Sequence, residues 1–126
     1  MTTKISTTCA GLVIGLLFTL PGIVYAQCNS EEVGYVASFN IKPGSEAAFE
    51  AAISTLAETV NRVEPGVILY APYKGNDGKY FMMERYKNAA AREVHGKSEE
   101  VSALFPTLGE HMAGAPDVQP VSAVCP

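Results

Sequence analysis

Five apolar residues, Phe49, Ile53, Leu56, Val60 and Val63, stand 4, 3, 4 and 3 apart and therefore share one face of a helix. Glu46, Glu50, Glu58 and Arg62 lie off that stripe, so the helix is half-buried and needs a surface to cover. The flanking segments supply one. Residues 33–41 alternate with the two-residue period of a strand, with Tyr35, Ala37, Phe39 and Ile41 on one face and Val36, Ser38 and Asn40 on the other. Lys42-Pro43-Gly44-Ser45 separates strand from helix and offers Ser45 as its cap, and Glu64-Pro65-Gly66 stops it. Residues 67–73 read as a second strand, Gly75-Asn76-Asp77-Gly78 as a hairpin turn, and residues 79–86 as the return strand.

Beyond the hairpin, Asn88 caps a short Ala-rich helix over residues 89–95. A second helical stretch carries Val101, Leu104, Phe105, Leu108 and Met112, and Gly114 and Pro116 close it. Residues 118–124 form the last strand, in which Pro120 marks an edge or a bulge. The order β-α-β-β-α-β predicts an α+β, ferredoxin-like domain with a four-stranded antiparallel sheet. Right-handed crossovers are expected to put the first and last strands side by side, antiparallel, in the middle of the sheet.

The first 26 residues read as a segment outside that fold. One basic residue, Lys4, precedes an apolar run from Ala10 to Leu20, Pro21-Gly22 breaks it, and Val24 and Ala26 fit a cut after Ala26. The run is short of the roughly 20 residues that span a bilayer, so the pattern predicts a cleaved signal peptide (1–26), a secreted or periplasmic domain (27–126), and no membrane attachment after cleavage. An uncleaved anchor is the alternative. Cys28 and Cys125 then flank the ends of the first and last strands, and export favours a disulfide between them over two free thiols. Closing so long a loop contributes about 4–5 kcal/mol in the chain-entropy model.

Composition narrows the function. Nine basic residues against 13 acidic ones give a net charge of −4, with no Lys or Arg cluster, so no nucleic-acid partner is expected. The length excludes a multi-domain enzyme and a dinucleotide-binding unit. Two isolated histidines, His95 and His111, make no ligand-spaced metal cluster, and His111 is expected to be solvated.

Several short motifs resemble the antibiotic biosynthesis monooxygenase (ABM) family of the dimeric α/β-barrel superfamily. They are Lys42-Pro43-Gly44 with Phe49 five residues on, Glu64-Pro65-Gly66 with Tyr70 four on, Glu84 to Lys87 (ERYK), and then Ala91, His95 and Ser98. The resemblance covers roughly residues 33 to 124. It implies a homodimer with two sheets face to face, and an apolar pocket between each sheet and its helices. It also implies oxygenation of a small phenol or quinol by O2 with no metal, flavin or other cofactor. A ligand-holding module without turnover, or an isomerase-type relative, is the alternative. Haem-degrading relatives use an Asn, a Trp and an axial His; this chain has Ala37, His95 and Phe105 near those positions and no Trp at all.

Such chemistry needs a dry cavity, a base and donors for the developing oxyanion. His95 is the candidate base, since histidines ordinarily change charge near neutrality; capping the helix end is the bland role for it. Tyr35, Tyr70, Tyr80 and Tyr86 are strand residues that could line a pocket or simply pack. Ala37 and Phe39 are expected as pocket walls on the helix-facing side of the first strand. The pocket set is thus Tyr35, Ala37, Phe39, Tyr70, Glu84, Tyr86 and Phe105, for a small aromatic or apolar molecule. Glu84 and Arg85 face opposite sides of their strand. Glu84 is the candidate partner of His95, and Arg85 is expected in an intersubunit ion pair.

Overall fold

The computed structural model describes residues 29–124. The leader, the cut after Ala26, and both Cys28 and Cys125 lie outside the described residues. Eight elements follow in order: β1 (Val33–Phe39), α1 (Glu46–Val63), β2 (Val67–Lys74), β3 (Tyr80–Tyr86), α2 (Ala89–Lys97), α3 (Glu99–Ser102), α4 (Phe105–Glu110) and β4 (Asp117–Ser122). They build the ferredoxin-like arrangement, an antiparallel sheet with helices on one face.

The sheet order is β2-β3-β1-β4. The first and last strands are neighbours and antiparallel, but the central pair is β1 and β3, and β4 is an edge. This corrects the expectation of a central last strand. Pro120 accounts for the difference, because it has no N–H to donate to a second neighbour. The register sets Val33 opposite Ser122, so the start of β1 lies beside the end of β4.

Strand parity decides what each side chain meets. Ala37 and Phe39 of β1, with Tyr80, Met82 and Tyr86 of β3, are buried against the helices. Phe49, Ile53, Leu56 and Val60 present the α1 stripe to them, each nearly or wholly inaccessible. Burying side chains of this size contributes about 1.5–3 kcal/mol apiece, and the Phe49 ring packs on both Phe39 and Tyr80. The opposite face of the sheet carries Val36, Leu69, Ala71, Phe81, Met83 and Val121, none of them fully buried.

Two further expectations need correction. Ser45 does sit at the helix N-cap, but its side chain makes no capping hydrogen bond; its φ of −98° and ψ of 4° are not the extended geometry that aims the hydroxyl back. The stretch from Val101 to Met112 is two short helices rather than one. Pro106 stands in the first turn of α4 and cannot donate to a preceding carbonyl, so the helix restarts there. The hairpin and the α2 cap form as the sequence predicts: Gly78 takes a φ of +80°, and Asn88 Oδ1 accepts the Ala91 N–H at 2.9 Å.

Candidate functional site

A cleft of about 320 Å³ opens between the sheet and the helices. The sheet supplies Ala37, Phe39, Tyr70 and Glu84, and α1 supplies Leu56. Arg92 and His95 come from α2, and Phe105, Leu108 and Gly109 from α4. Met112, Pro116 and Val118 complete the lining. Phe105 and Val118 are 45% and 44% exposed, which puts them at the mouth.

One lining residue, His95, belongs to a buried pair. His95 Nδ1 lies 2.9 Å from Glu64 Oε2, with the two side chains 6% and 4% exposed. A carboxylate there fixes the imidazole tautomer: Nδ1 carries the proton and donates, so Nε2 is left as the acceptor. The ring lies against those of Tyr70 and Tyr86, at centroid distances of 5.2 and 5.4 Å. Glu64 itself is held at the end of α1, where its backbone N–H closes onto the Val60 carbonyl. The following turn is tied down by the Lys87 N–H on the Gly66 carbonyl and by Lys87 Nζ on that of Pro65.

α2 approaches this turn closely. A Cβ added at Gly66 would stand 2.5 Å from the Ala91 Cβ, so only glycine lets the helix seat where it carries His95. On the other side, Asn61 Nδ2 donates to the Tyr70 carbonyl at 2.8 Å and fixes β2 against α1.

Glu84 is buried but does not partner His95, as the sequence had suggested. It accepts the Tyr86 hydroxyl at 2.7 Å. The reason is positional: Glu84 and Tyr86 are two apart on one strand face and meet directly, whereas Glu64 arrives from the end of α1. Arg85, on the outer face, pairs with Glu32 of the same chain. Among the expected pocket residues, Ala37, Phe39, Tyr70, Glu84 and Phe105 line the cleft with His95. Tyr35 and Tyr86 do not; Tyr86 is fully buried behind it and Tyr35 packs edge-on against Tyr86.

Burial, with Glu84 and Glu64 nearby, pushes the Tyr70 hydroxyl well above the ordinary phenol range, and Arg92 opposes this weakly. Burial and Glu84 do the same to Tyr86. Both therefore remain hydroxyl groups throughout the physiological range. Sequence reasoning missed Glu64 and Arg92. Both left a signal: Glu64 extends the α1 stripe four residues beyond Val60, and Arg92 precedes His95 by three, on the same helical face. Among the described residues no cluster of His, Cys, Asp or Glu is arranged to hold a metal ion, and no helix is long and apolar enough to cross a membrane.

The antibiotic biosynthesis monooxygenase family model matches residues 33–106, which includes both members of the buried pair. The chain belongs to that family. A Caulobacter crescentus protein described as an antibiotic biosynthesis monooxygenase is 30% identical, with a TM-score of 0.70 over 77% of this chain and 93% of its own. Rv0793 from Mycobacterium tuberculosis is 24% identical, with a TM-score of 0.67 over 75% and 97%. SnoaB, a cofactor-independent oxygenase from Streptomyces nogalater, shares the fold at 18% identity, with a TM-score of 0.66 over 74% and 93%. No curated protein matches the chain. The ABM fold family is typically dimeric.

Proposed function

We propose that this ABM-family protein is an exported, cofactor-independent monooxygenase of a small phenol or quinol, with His95 as its base. One observation carries the reading: His95, oriented by a buried Glu64, borders an apolar cleft large enough for a single aromatic ring. Neutral Nε2 takes the proton of the ligand hydroxyl, and Glu64 stabilises the imidazolium that forms. The resulting phenolate is a good one-electron donor to O2. Recombination of the two radicals makes a C–O bond, and loss of water from the peroxide leaves a ring carbonyl. A hydroquinone plus O2 thus becomes a hydroxyquinone plus water, and the substrate supplies all the reducing electrons.

Oxygen consumption on a panel of hydroquinones tests this. Uptake should exceed that of a His95→Ala variant; if no substrate does so, the oxygenase reading falls and binding without uptake would leave a ligand-holding module.

The dimer and the export route belong to the same proposal. The apolar outer face of the sheet, with Met83 42% and Tyr73 50% exposed, supports a second copy packed sheet to sheet. The leader pattern supports export. The pairing of Val33 with Ser122 supports a Cys28–Cys125 disulfide, since in the sequence Cys28 precedes the one by five residues and Cys125 follows the other by three.

A further inference from the structure

Arg92 lines the cleft, and among the described residues no carboxylate forms an ion pair with it. Its guanidinium carbon stands 4.9 Å from the centroid of the Tyr35 ring and 5.6 Å from that of Tyr86. Its Nε is buried with no hydrogen-bond partner, and it takes part in no ion pair among the described residues. A charge in such a place ordinarily has a partner. The two aromatic faces supply part of what is missing and leave the guanidinium's N–H groups unspent.

Each carboxylate near the cleft already makes one hydrogen bond, through Oε2 in both cases, while Glu64 Oε1 is buried with no partner among the described residues. Glu84 of β3 accepts the Tyr86 hydroxyl, and Glu64 at the end of α1 accepts from His95. Tyr70 of β2 and Tyr86 of β3 keep their protons and carry no charge. Among the described residues, Arg92 is thus the one guanidinium or ammonium lining the cleft, and it has no ion-pair partner there; it stands three residues from the candidate base on the same helix. Guanidinium binds oxyanions with directed, charge-assisted hydrogen bonds.

We propose that Arg92 is the anion acceptor of the cleft, holding the ionised oxygen of an acidic aromatic ligand. The inference rests on the reading of His95 as the base that releases this anion, and it narrows the substrate to hydroxyl-bearing aromatics acidic enough to be bound as phenolates. The proton goes from the ligand oxygen to His95 Nε2. The charge left behind faces Arg92, while the imidazolium faces Glu64, so each new charge meets an existing opposite one.

The test uses 4-nitrophenol, whose two protonation states differ in visible absorbance, titrated with pH in the presence of excess full-length protein. Bound probe should ionise at lower pH than free probe, and Arg92→Gln should remove that shift and weaken phenolate binding about 10–100-fold. Arg92→Lys, which keeps the charge, should retain part of it; thermal melts of both variants exclude unfolding as the cause. His95→Gln should keep the lowered ionisation while losing oxygen uptake, which separates failure of the base from failure of the anion site. Wild-type protein that does not bind the probe, or favours its neutral form, overturns the proposal. So does an Arg92→Gln variant that binds phenolate as wild type does.

Discussion

His95 and Glu64 are 31 positions apart in the chain and share a buried hydrogen bond of 2.9 Å. The geometry makes the two residues one functional unit and sets different costs for breaking it from either side. His95→Ala removes the donor and strands a buried carboxylate, which should cost about 1–3 kcal/mol in stability and about 10²–10⁴-fold in oxygen uptake. Glu64→Gln keeps a hydrogen-bonding group but removes the charge opposite the imidazolium. It should melt closer to wild type than His95→Ala while still losing activity. Calorimetry alongside an oxygen electrode checks both; a fully active His95→Ala would remove the residue from the mechanism.

Tyr70 and Tyr86 should resist alkaline titration. Burial raises both above the ordinary phenol value, so in the unfolded chain they ionise first, near pH 10. Their contribution to stability is complete below that pH and is lost as pH rises above it. Near-ultraviolet phenolate absorbance should therefore lack two tyrosines until the protein unfolds, and Tyr70→Phe should blunt the alkaline loss of stability. Early, reversible ionisation of both would contradict their buried placement.

Gly66→Ala should disturb α2 and the cleft together. The added methyl would sit 2.5 Å from the Ala91 Cβ, so the helix must move. The expected cost is about 1–3 kcal/mol of overpacking, with loss of oxygen uptake although no cleft residue has changed. A double variant with Ala91→Gly should recover much of both, because it removes the opposing atom.

The sheet's outer face should bring two copies together. Light scattering of eluting protein should give twice the chain mass, and Met83→Asp, which places a charge amid Leu69, Ala71 and Val36, should yield a monomer. A wild-type monomer at micromolar concentration would defeat the expectation.

The cystine proposed between Cys28 and Cys125 should appear as a mass gain of two hydrogens on reduction of exported protein. Cys28→Ser should lower the melting temperature by several degrees, in line with the stabilisation that closing a long loop confers. Two free thiols in protein recovered from an oxidising compartment would sink it.

Much of this architecture could be read from periodicity, because burial here follows parity closely. Ala37, Phe39 and the α1 stripe went to the core face for the reason that residues two apart on a strand, or three to four apart on a helix, share a side. The site was legible only in part. Glu64 looked like part of a helix stop, since Glu-Pro-Gly is ordinary terminator chemistry and carboxylates there are usually solvated. Nothing local says that it meets a histidine on another helix. Glu84 was the nearer guess, but its strand neighbour Tyr86 claims it. Arg92 was overlooked because an arginine on an Ala-rich helix ordinarily reaches into water, and its seat on two tyrosine rings depends on how α2 crosses the sheet.

Arg92 and His95 ride on one short helix whose start is fixed by the Asn88 cap and whose seat is fixed by Gly66. Their relative bearing is thus a matter of residue count. Each inserted or deleted residue turns everything after it by about 100°, so a single indel between positions 92 and 95 would swing one of them off the cleft. Over evolutionary drift this stretch should accept many changes of letter and almost none of length. The hairpin tip at Gly75 to Gly78, whose residues line no part of the cleft, should show the reverse.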